Sequence, residues 1–433
     1  MQFYRPQDAT AASAVDVKQR RAGAPLPIRL AVFTAAYLSW RPSVDLMFTV
    51  SDALFIVGFV YLFSKRRVVR SPFGVLTPLL VIGYGVMMAG LFISSIMDNQ
   101  PVRFANVSIQ YGFAWLILPF IICGYGRTYT ISLVKYFVMS IVAMEAFGSI
   151  IYFTFVRSFH ETRSILGLDF LSGSRRLGAF ATDANWNGAV AAMAVPFAVY
   201  LVSARQIKPV TGAVAVAVLL LGVVLSASFT AFCSVGAAIL VFVLAGVIRP
   251  PLWTIPLIVA ISLGIAHFGL PSQFEKRVGT AVATGEISQA GTFEGRLALV
   301  ENTWKMLGDH YILGVGADQD RVVNGLNAPV HNMYLLIWIE GGLLALLGWL
   351  LIICTFIARA MSAYRFDRRA GSLALAVVAI FITFSIASPH MYARLWAVPV
   401  LLALAIAQSA VPEAPRPELA RRFLRNGRPE RVP

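Results

Sequence analysis

The sequence predicts an all-α polytopic membrane protein with about 12 transmembrane helices. Of its 433 residues, 58% are hydrophobic and 13% charged, against roughly a quarter charged in soluble domains, and the mean hydropathy is +0.73. Apolar stretches recur along the chain, most of them close to the roughly 20 helical residues needed to cross a hydrocarbon core of about 30 Å. The basic residues gather in alternate intervals between these stretches and in the tails, a distribution that sets membrane orientation. The net charge of +15 is therefore read as a topology signal, and no nucleic-acid partner is expected.

Residues 1–26 are polar and mixed, with Lys18, Arg20 and Arg21. They lack an apolar core followed by a small-residue cleavage site, so they read as a cytoplasmic tail and not a removable signal peptide. Residues 27–270 hold spans 1–9, at about 27–40, 44–63, 73–97, 106–123, 129–156, 184–202, 210–226, 230–248 and 252–270. The first is the shortest and ends in Trp40-Arg41-Pro42. A loop at about 157–183 separates spans 5 and 6, and a large loop occupies 271–330 between spans 9 and 10. Residues 331–410 hold spans 10–12, at about 332–357, 372–387 and 395–410, and 411–433 form a basic cytoplasmic tail. With both ends inside, Lys65, Arg66, Arg67, Arg70, Arg127, Arg205, Lys208, Arg249, Arg359, Arg365, Arg368 and Arg369 all face the cytoplasm. A shift of one span would move these clusters outside, against the positive-inside rule. Cys123, Cys233 and Cys354 each fall in an apolar segment, as small packing residues do; they form no disulfide or metal pattern.

In this orientation the 157–183 and 271–330 loops face outward, where arginine runs against the topological bias and calls for a role. Arg157, Arg163, Arg175, Arg176, Arg277, Arg296, Arg321 and Arg394 are the candidates. The first loop ends SGSRRLGAFATDANWNGA, so Arg175 and Arg176 precede Asp183, Asn185 and Asn187 at the mouth of span 6. A helix cap explains Asp183. The adjacent arginines point to anion binding, because guanidinium forks match phosphate oxygens.

In the second loop, TFEGRLALVENTWKML sets Leu297, Val300, Trp304 and Leu307 at helical spacing, which predicts an amphipathic helix on the membrane surface. An interfacial anchor accounts for the apolar stripe but not for Arg296 at its start. Gly314 and Gly316 in YILGVGADQDR permit a tight turn or close approach to a ligand. Asp318-Gln319-Asp320 has the form of a metal-binding DxD element. A solvated loop is the plainer reading, and neither a metal nor a cofactor is expected. The stretch HNMYLLIWIEGG then opens span 10 with His331, Asn332 and Tyr334 at its mouth, while Glu340 lies roughly 13 Å deeper. Polar groups at such depth are costly. A titratable imidazole at the border of loop and bundle suits a base acting on a substrate that arrives along the bilayer. His160, His310 and His390 are the other outward histidines, each explained as well by a loop or interface position. Glu340 sits too deep for a sugar and reads as a packing or orienting group.

The H-N-x-Y-L motif followed by Glu-x-Gly, with G-V-G upstream and a G-R that begins an amphipathic helix bearing Trp304, resembles the O-antigen ligase and polymerase family. The likeness covers about 175–342 in motif and the whole chain in layout. It implies a GT-C-like fold in a bacterial inner membrane, with the active site facing the periplasm. The implied reaction is metal-independent, inverting transfer of a glycan from undecaprenyl pyrophosphate. By position, His331 matches the family's essential histidine, the base on the acceptor hydroxyl, and Arg296 the loop arginine that binds the donor pyrophosphate. Asn332, Tyr334, Glu340, Gly314, Gly316 and Asn185 are supporting positions. One departure is plain: where the family has a Ser-Arg start to span 8, this chain reads Ser228-Phe229-Thr230-Ala231. Either Arg175 or Arg176 replaces that charge, or the donor site differs.

The implied partners are a lipid-linked oligosaccharide donor, a glycan acceptor, the bilayer and other polysaccharide-assembly proteins. A polymerase of O-antigen or exopolysaccharide would use a lipid-linked repeat as acceptor, and a ligase would use lipid A core. The divergent phosphate motif favours the polymerase. A flippase or secondary transporter also has about twelve spans, but the large loop falls after nine of them and no second half matches the first.

Overall fold

The computed structural model describes residues 23–40, 48–154, 159–167, 169–172, 174–247, 271–286 and 293–411. The protein is all-α and crosses the membrane many times. Seven of the described helices are long and apolar enough to span a bilayer, and three shorter apolar ones accompany them. In chain order the helices are α1 (Leu26–Phe33), α2 (Val50–Ser64), α3 (Thr77–Met97), α4 (Pro101–Ile122), α5 (Arg127–Thr154), α6 (Phe159–Leu166), α7 (Ala184–Ser203), α8 (Pro209–Ser226) and α9 (Phe229–Leu244). There follow α10 (272–284), α11 (Phe293–His310), α12 (Asp320–Val323), α13 (Met333–Phe366), α14 (Arg368–Ala387) and α15 (Arg394–Ala410).

Two of the twelve expected spans need comment. The first contains a helix of only 8 residues, about 12 Å long, and continues as turns to Trp40. The Thr34 hydroxyl folds back on the carbonyls of Leu30 and Ala31, and Ser39 pairs with the Phe180 carbonyl. The ninth, at 252–270, lies outside the described residues.

α7 is the central helix: 78% of its apolar window is buried, and α5, α8, α9, α14 and α15 surround it. Small residues allow this density. Ala and Gly recur through ANWNGAVAAMAVPFAVYLVS, and small side chains let helix backbones approach where no hydrophobic effect drives association in lipid. The same device joins α3 to α13. A Cβ on Gly90 would lie 2.5 Å from the Ala345 nitrogen and 2.7 Å from the Gly341 carbonyl, and one on Gly83 would lie 3.1 Å from the Gly348 carbonyl.

α13 is broken at Gly342 (φ 67°, ψ −172°). The carbonyls that the break releases are taken up by the preceding loop: Val315 N–H donates to Ile339 at 2.8 Å and Gly316 N–H to Glu340 at 3.0 Å. Gly314 and Gly316 both have positive φ. A Cβ on Gly314 would lie 2.7 Å from the Gly342 nitrogen, so the close approach expected of the G-V-G turn is to the broken helix.

α11 forms the expected helix with Arg296 in its first turn, and part of the apolar stripe faces away from the protein, as on a helix that lies against a membrane surface. Leu299, Thr303 and Leu307 are buried, whereas Leu297 and Trp304 are exposed. Trp304 meets Trp338 of α13 edge-on at 6.1 Å.

Candidate functional site

His331 lies between two helix-forming segments, in the short turn before α13. Asn332 caps α13, its side-chain oxygen accepting the amides of Tyr334 (3.0 Å) and Leu335 (3.1 Å), an N-cap that satisfies donors otherwise unpaired. The His331 Nδ1 is 3.1 Å from the Pro329 carbonyl. A carbonyl only accepts, so Nδ1 carries the proton and Nε2 keeps its lone pair for another partner. Burial, then the neighbouring Arg296 cation, hold the imidazole below its usual pKa, opposed by the Pro329 contact and Asp183. That downward shift favours the neutral imidazole, the form competent to accept a proton.

Two cavities meet at this histidine. The first, of about 280 Å³, is the more polar of the two: Thr182, Asp183, Asn185, Arg296, His331 and Ser388 line it together with Trp186, Ala387 and Pro389. The second, of about 470 Å³, shares Asn185, Arg296 and His331 but is walled mainly by apolar side chains, including Phe229, Leu297, Val300 and Ile386. Ile386 is 57% exposed, as a residue at a lateral opening toward lipid would be. The pair thus places a polar chamber beside an apolar one, with an imidazole and a guanidinium at the junction.

The outward arginines separate sharply. Arg296 and Arg277 line the apolar cavity. Arg176 is buried one layer behind: its Nε donates to the Ser226 carbonyl at 2.8 Å and its Nη2 to Asn185 Oδ1 at 2.8 Å. Burial, with Arg277 and Arg296 nearby, pushes the Arg176 pKa down to about 10 against the opposing pull of Asp183. Arg277 and Arg296 are likewise lowered by burial first, and Arg296 further lowers Arg277. All three remain charged at pH 7. Asp183, whose carboxylate caps α7 through the Asn185 and Trp186 amides, is the acidic group that acts on all of them. Such a concentration of like charge in a partly buried site is relieved by an anion.

The others are engaged elsewhere. Arg175 is exposed and lies 5.4 Å over the Tyr152 ring. Arg394 forms a buried ion pair with Asp52 and donates to the Tyr392 carbonyl at 2.8 Å. Arg321 donates to Asp318 at 2.7 Å. Arg163 is exposed on α6, and Arg157 lies outside the described residues. Sequence spacing therefore missed Arg277 as a site residue, although its outward position had marked it as a candidate. Phe229, where the resembled family carries arginine, lines the same cavity as Arg277.

The D-Q-D element is occupied by protein partners. Asp318 Oδ2 accepts from both Arg103 and Arg321, each at 2.7 Å. Asp320 is fully buried and accepts from Thr303 Oγ1 and the Val330 amide. No group of three or more metal-ligating side chains occurs among the described residues. Glu340 is 2% exposed, just ahead of the helix break, and its Oε1 has no partner among the described residues. Tyr334 is half-buried on the first turn of α13. Among the remaining histidines, His310 is exposed and the side chain of His160 lies outside the described residues. His390 is half-buried next to Pro389 of the polar cavity, its ring 5.6 Å from Tyr392 and its pKa pushed down to about 4, first by burial.

Residues 213–350 match the model of a protein family described as O-antigen ligase. The match runs from α8 through the break in α13 and includes Arg277, Arg296 and His331. No curated protein matches the chain.

Proposed function

We propose, from an O-antigen ligase-type region that carries this junction of cavities, that the protein moves a glycan from undecaprenyl pyrophosphate to an acceptor hydroxyl. The meeting of a polar chamber and an apolar one at His331 and Arg296 carries the reading. A polyprenyl-pyrophosphate donor has matching parts: a hydrocarbon chain for the apolar cavity, a diphosphate for the arginines and a sugar for the polar chamber. The chain would work in a bacterial inner membrane with this site on the periplasmic side.

In the reaction, the acceptor oxygen attacks the anomeric carbon from the face opposite the pyrophosphate, and the glycosidic bond to phosphate breaks with inversion. His331 Nε2 takes the acceptor proton as the new C–O bond forms. The leaving diphosphate keeps the bonding electron pair, and Arg296 and Arg277 hold its charge. Pre-positioned cations act most strongly in a site of low dielectric. Arg176 orients Asn185 toward both cavities from behind. The D-Q-D carboxylates serve the architecture and the reaction proceeds without a metal.

The favoured acceptor is a lipid-linked repeat unit, making the enzyme a polymerase. The description of the matched family supports a second reading, transfer to lipid A core. Purified protein in liposomes, supplied with lipid-linked glycan and either acceptor, distinguishes them: chain extension marks the polymerase and capture by lipid A core the ligase. Turnover with neither acceptor, together with undiminished donor, would refute glycan transfer.

A further inference from the structure

The end of the bundle opposite this site carries a second cationic cavity. It has a volume of about 440 Å³ and is lined by Arg127, Thr128, Ser132, Lys135, Tyr136 and Gln206, with Ile131. Along α7, Tyr200, which accepts from Arg127 at 3.3 Å, stands 15 residues from Asn185, or roughly 23 Å at the helical rise. The two cavities therefore belong to opposite membrane faces.

Its chemistry is that of a phosphate seat. Lys135 is exposed, with no carboxylate within ion-pair distance among the described residues. Arg127 is held only at 3.9 Å by Asp367. Arg29 stacks 5.4 Å over the ring of Tyr136, and its Nε is buried without a hydrogen-bond partner among the described residues. Three cations with hydroxyls between them exceed the one nearby carboxylate.

The surroundings identify the carrier of that phosphate. One turn along α5 from Lys135, on the same face, Met139 is exposed; Leu26 and Leu30 of α1 and Val210 of α8 are exposed as well. α1 and α8 both pack against α5, so these exposed apolar side chains stand on the helices that flank the cavity; a soluble anion has no use for them, whereas acyl chains do. Basic pockets between transmembrane helices at the headgroup level suit anionic lipids, each surface cation adding about 1 kcal/mol.

We propose that this cavity binds the phosphate headgroup of an anionic phospholipid, with the acyl chains lying over Met139 and the α1 and α8 rim. The test titrates the purified full-length protein with phosphatidylglycerol or chain-matched phosphatidylcholine and counts bound lipid by native mass spectrometry. Wild type should bind phosphatidylglycerol at least tenfold more tightly, and Lys135→Gln should weaken that binding roughly fivefold. Lys65→Gln, an exposed charge at the C-cap of α2 and outside the cavity, should leave it unchanged. Unaltered lipid binding by Lys135→Gln would overturn the proposal, and so would an equal loss in Lys65→Gln, which would mean diffuse surface attraction. Displacement of the lipid by millimolar inorganic phosphate would overturn it too, by making a soluble anion the ligand.

Discussion

Asp320 accepts the Val330 amide at 2.7 Å, so a buried carboxylate fixes the residue that precedes His331. Its second oxygen takes the hydroxyl of Thr303 at 3.2 Å, on the helix that carries Arg296. One side chain thereby sets the spacing of the proposed base and the proposed phosphate ligand.

Asp320→Ala would leave a buried amide unpaired, a cost of about 1–3 kcal/mol. The purified variant should melt at a lower temperature and lose both turnover and donor affinity, because the turn before the histidine and the helix that carries Arg296 are released together. The parent enzyme should be indifferent to EDTA. Loss of turnover with EDTA that magnesium restores would turn the D-Q-D element back into a metal site.

The pH profile supplies a second test, with opposite signs for two neighbours. His331 is held below its ordinary pKa, so activity should be full at pH 7 and fall only as pH drops through that lowered value, where the imidazole charges and loses its basicity. Arg296 lowers this pKa and Asp183 raises it. Asp183→Asn keeps a capping side chain and should therefore move the acid limb to lower pH. In Arg296→Gln, the imidazole titration followed by NMR should move to higher pH. Shifts of the same sign would show that the two charges do not act on His331.

Much of the architecture was legible because hydropathy and charge distribution are local properties of the chain. The polar mouth of α7 was visible as a cap at Asp183, and the opening of α13 as the motif around His331 and Asn332. Partner choice was not. Arg175 and Arg176 are adjacent in sequence, yet a left-handed backbone at Arg175 (φ 54°) turns one over Tyr152 and the other toward Asn185. Arg277 joins Arg296 only through the folding of the 271–286 segment against α9, which no spacing encodes. Asp320 resembled a metal ligand because sequence shows a carboxylate but not the amide it meets.

The arginines should therefore divide by position. Arg296→Ala and Arg277→Ala should lower donor affinity, and Arg296→Lys should recover only part of it, since an ammonium keeps the charge but not the fork. Arg176→Ala should reduce turnover through release of Asn185. Arg175→Ala should remain near wild type. Donor binding measured with a non-transferable lipid pyrophosphate checks the Arg296, Arg277 and Arg175 variants and a turnover assay checks Arg176→Ala; a larger binding loss for Arg175→Ala than for Arg277→Ala would reverse the assignment of the second cation. His331→Ala should bind donor yet lose about a hundred- to ten-thousand-fold in rate.

The break in α13 gives the last prediction. Gly342 sits at φ 67° and ψ −172°, a conformation that essentially only glycine adopts, and a Cβ there would collide with the Ile312 carbonyl. The Leu343 amide meanwhile donates to the carbonyls of Tyr311 and Ile312 at 3.1 and 3.2 Å, so a side chain would drive the 311–317 turn off the helix. That turn leads directly into Asp318 and Asp320. Gly342→Ala should cost more than the roughly 1–3 kcal/mol of backbone strain alone, because steric overlap adds to it. Gly236→Ala is the control, since a Cβ within α9 meets nothing within 4 Å and alanine favours the helix. Thermal melting of the two purified variants should separate them by several degrees, with turnover lost in Gly342→Ala and retained in Gly236→Ala. If Gly342→Ala melted and turned over like wild type, the loop would not depend on the broken helix for its position, and the path from Gly342 through Asp320 to His331 would have to be abandoned.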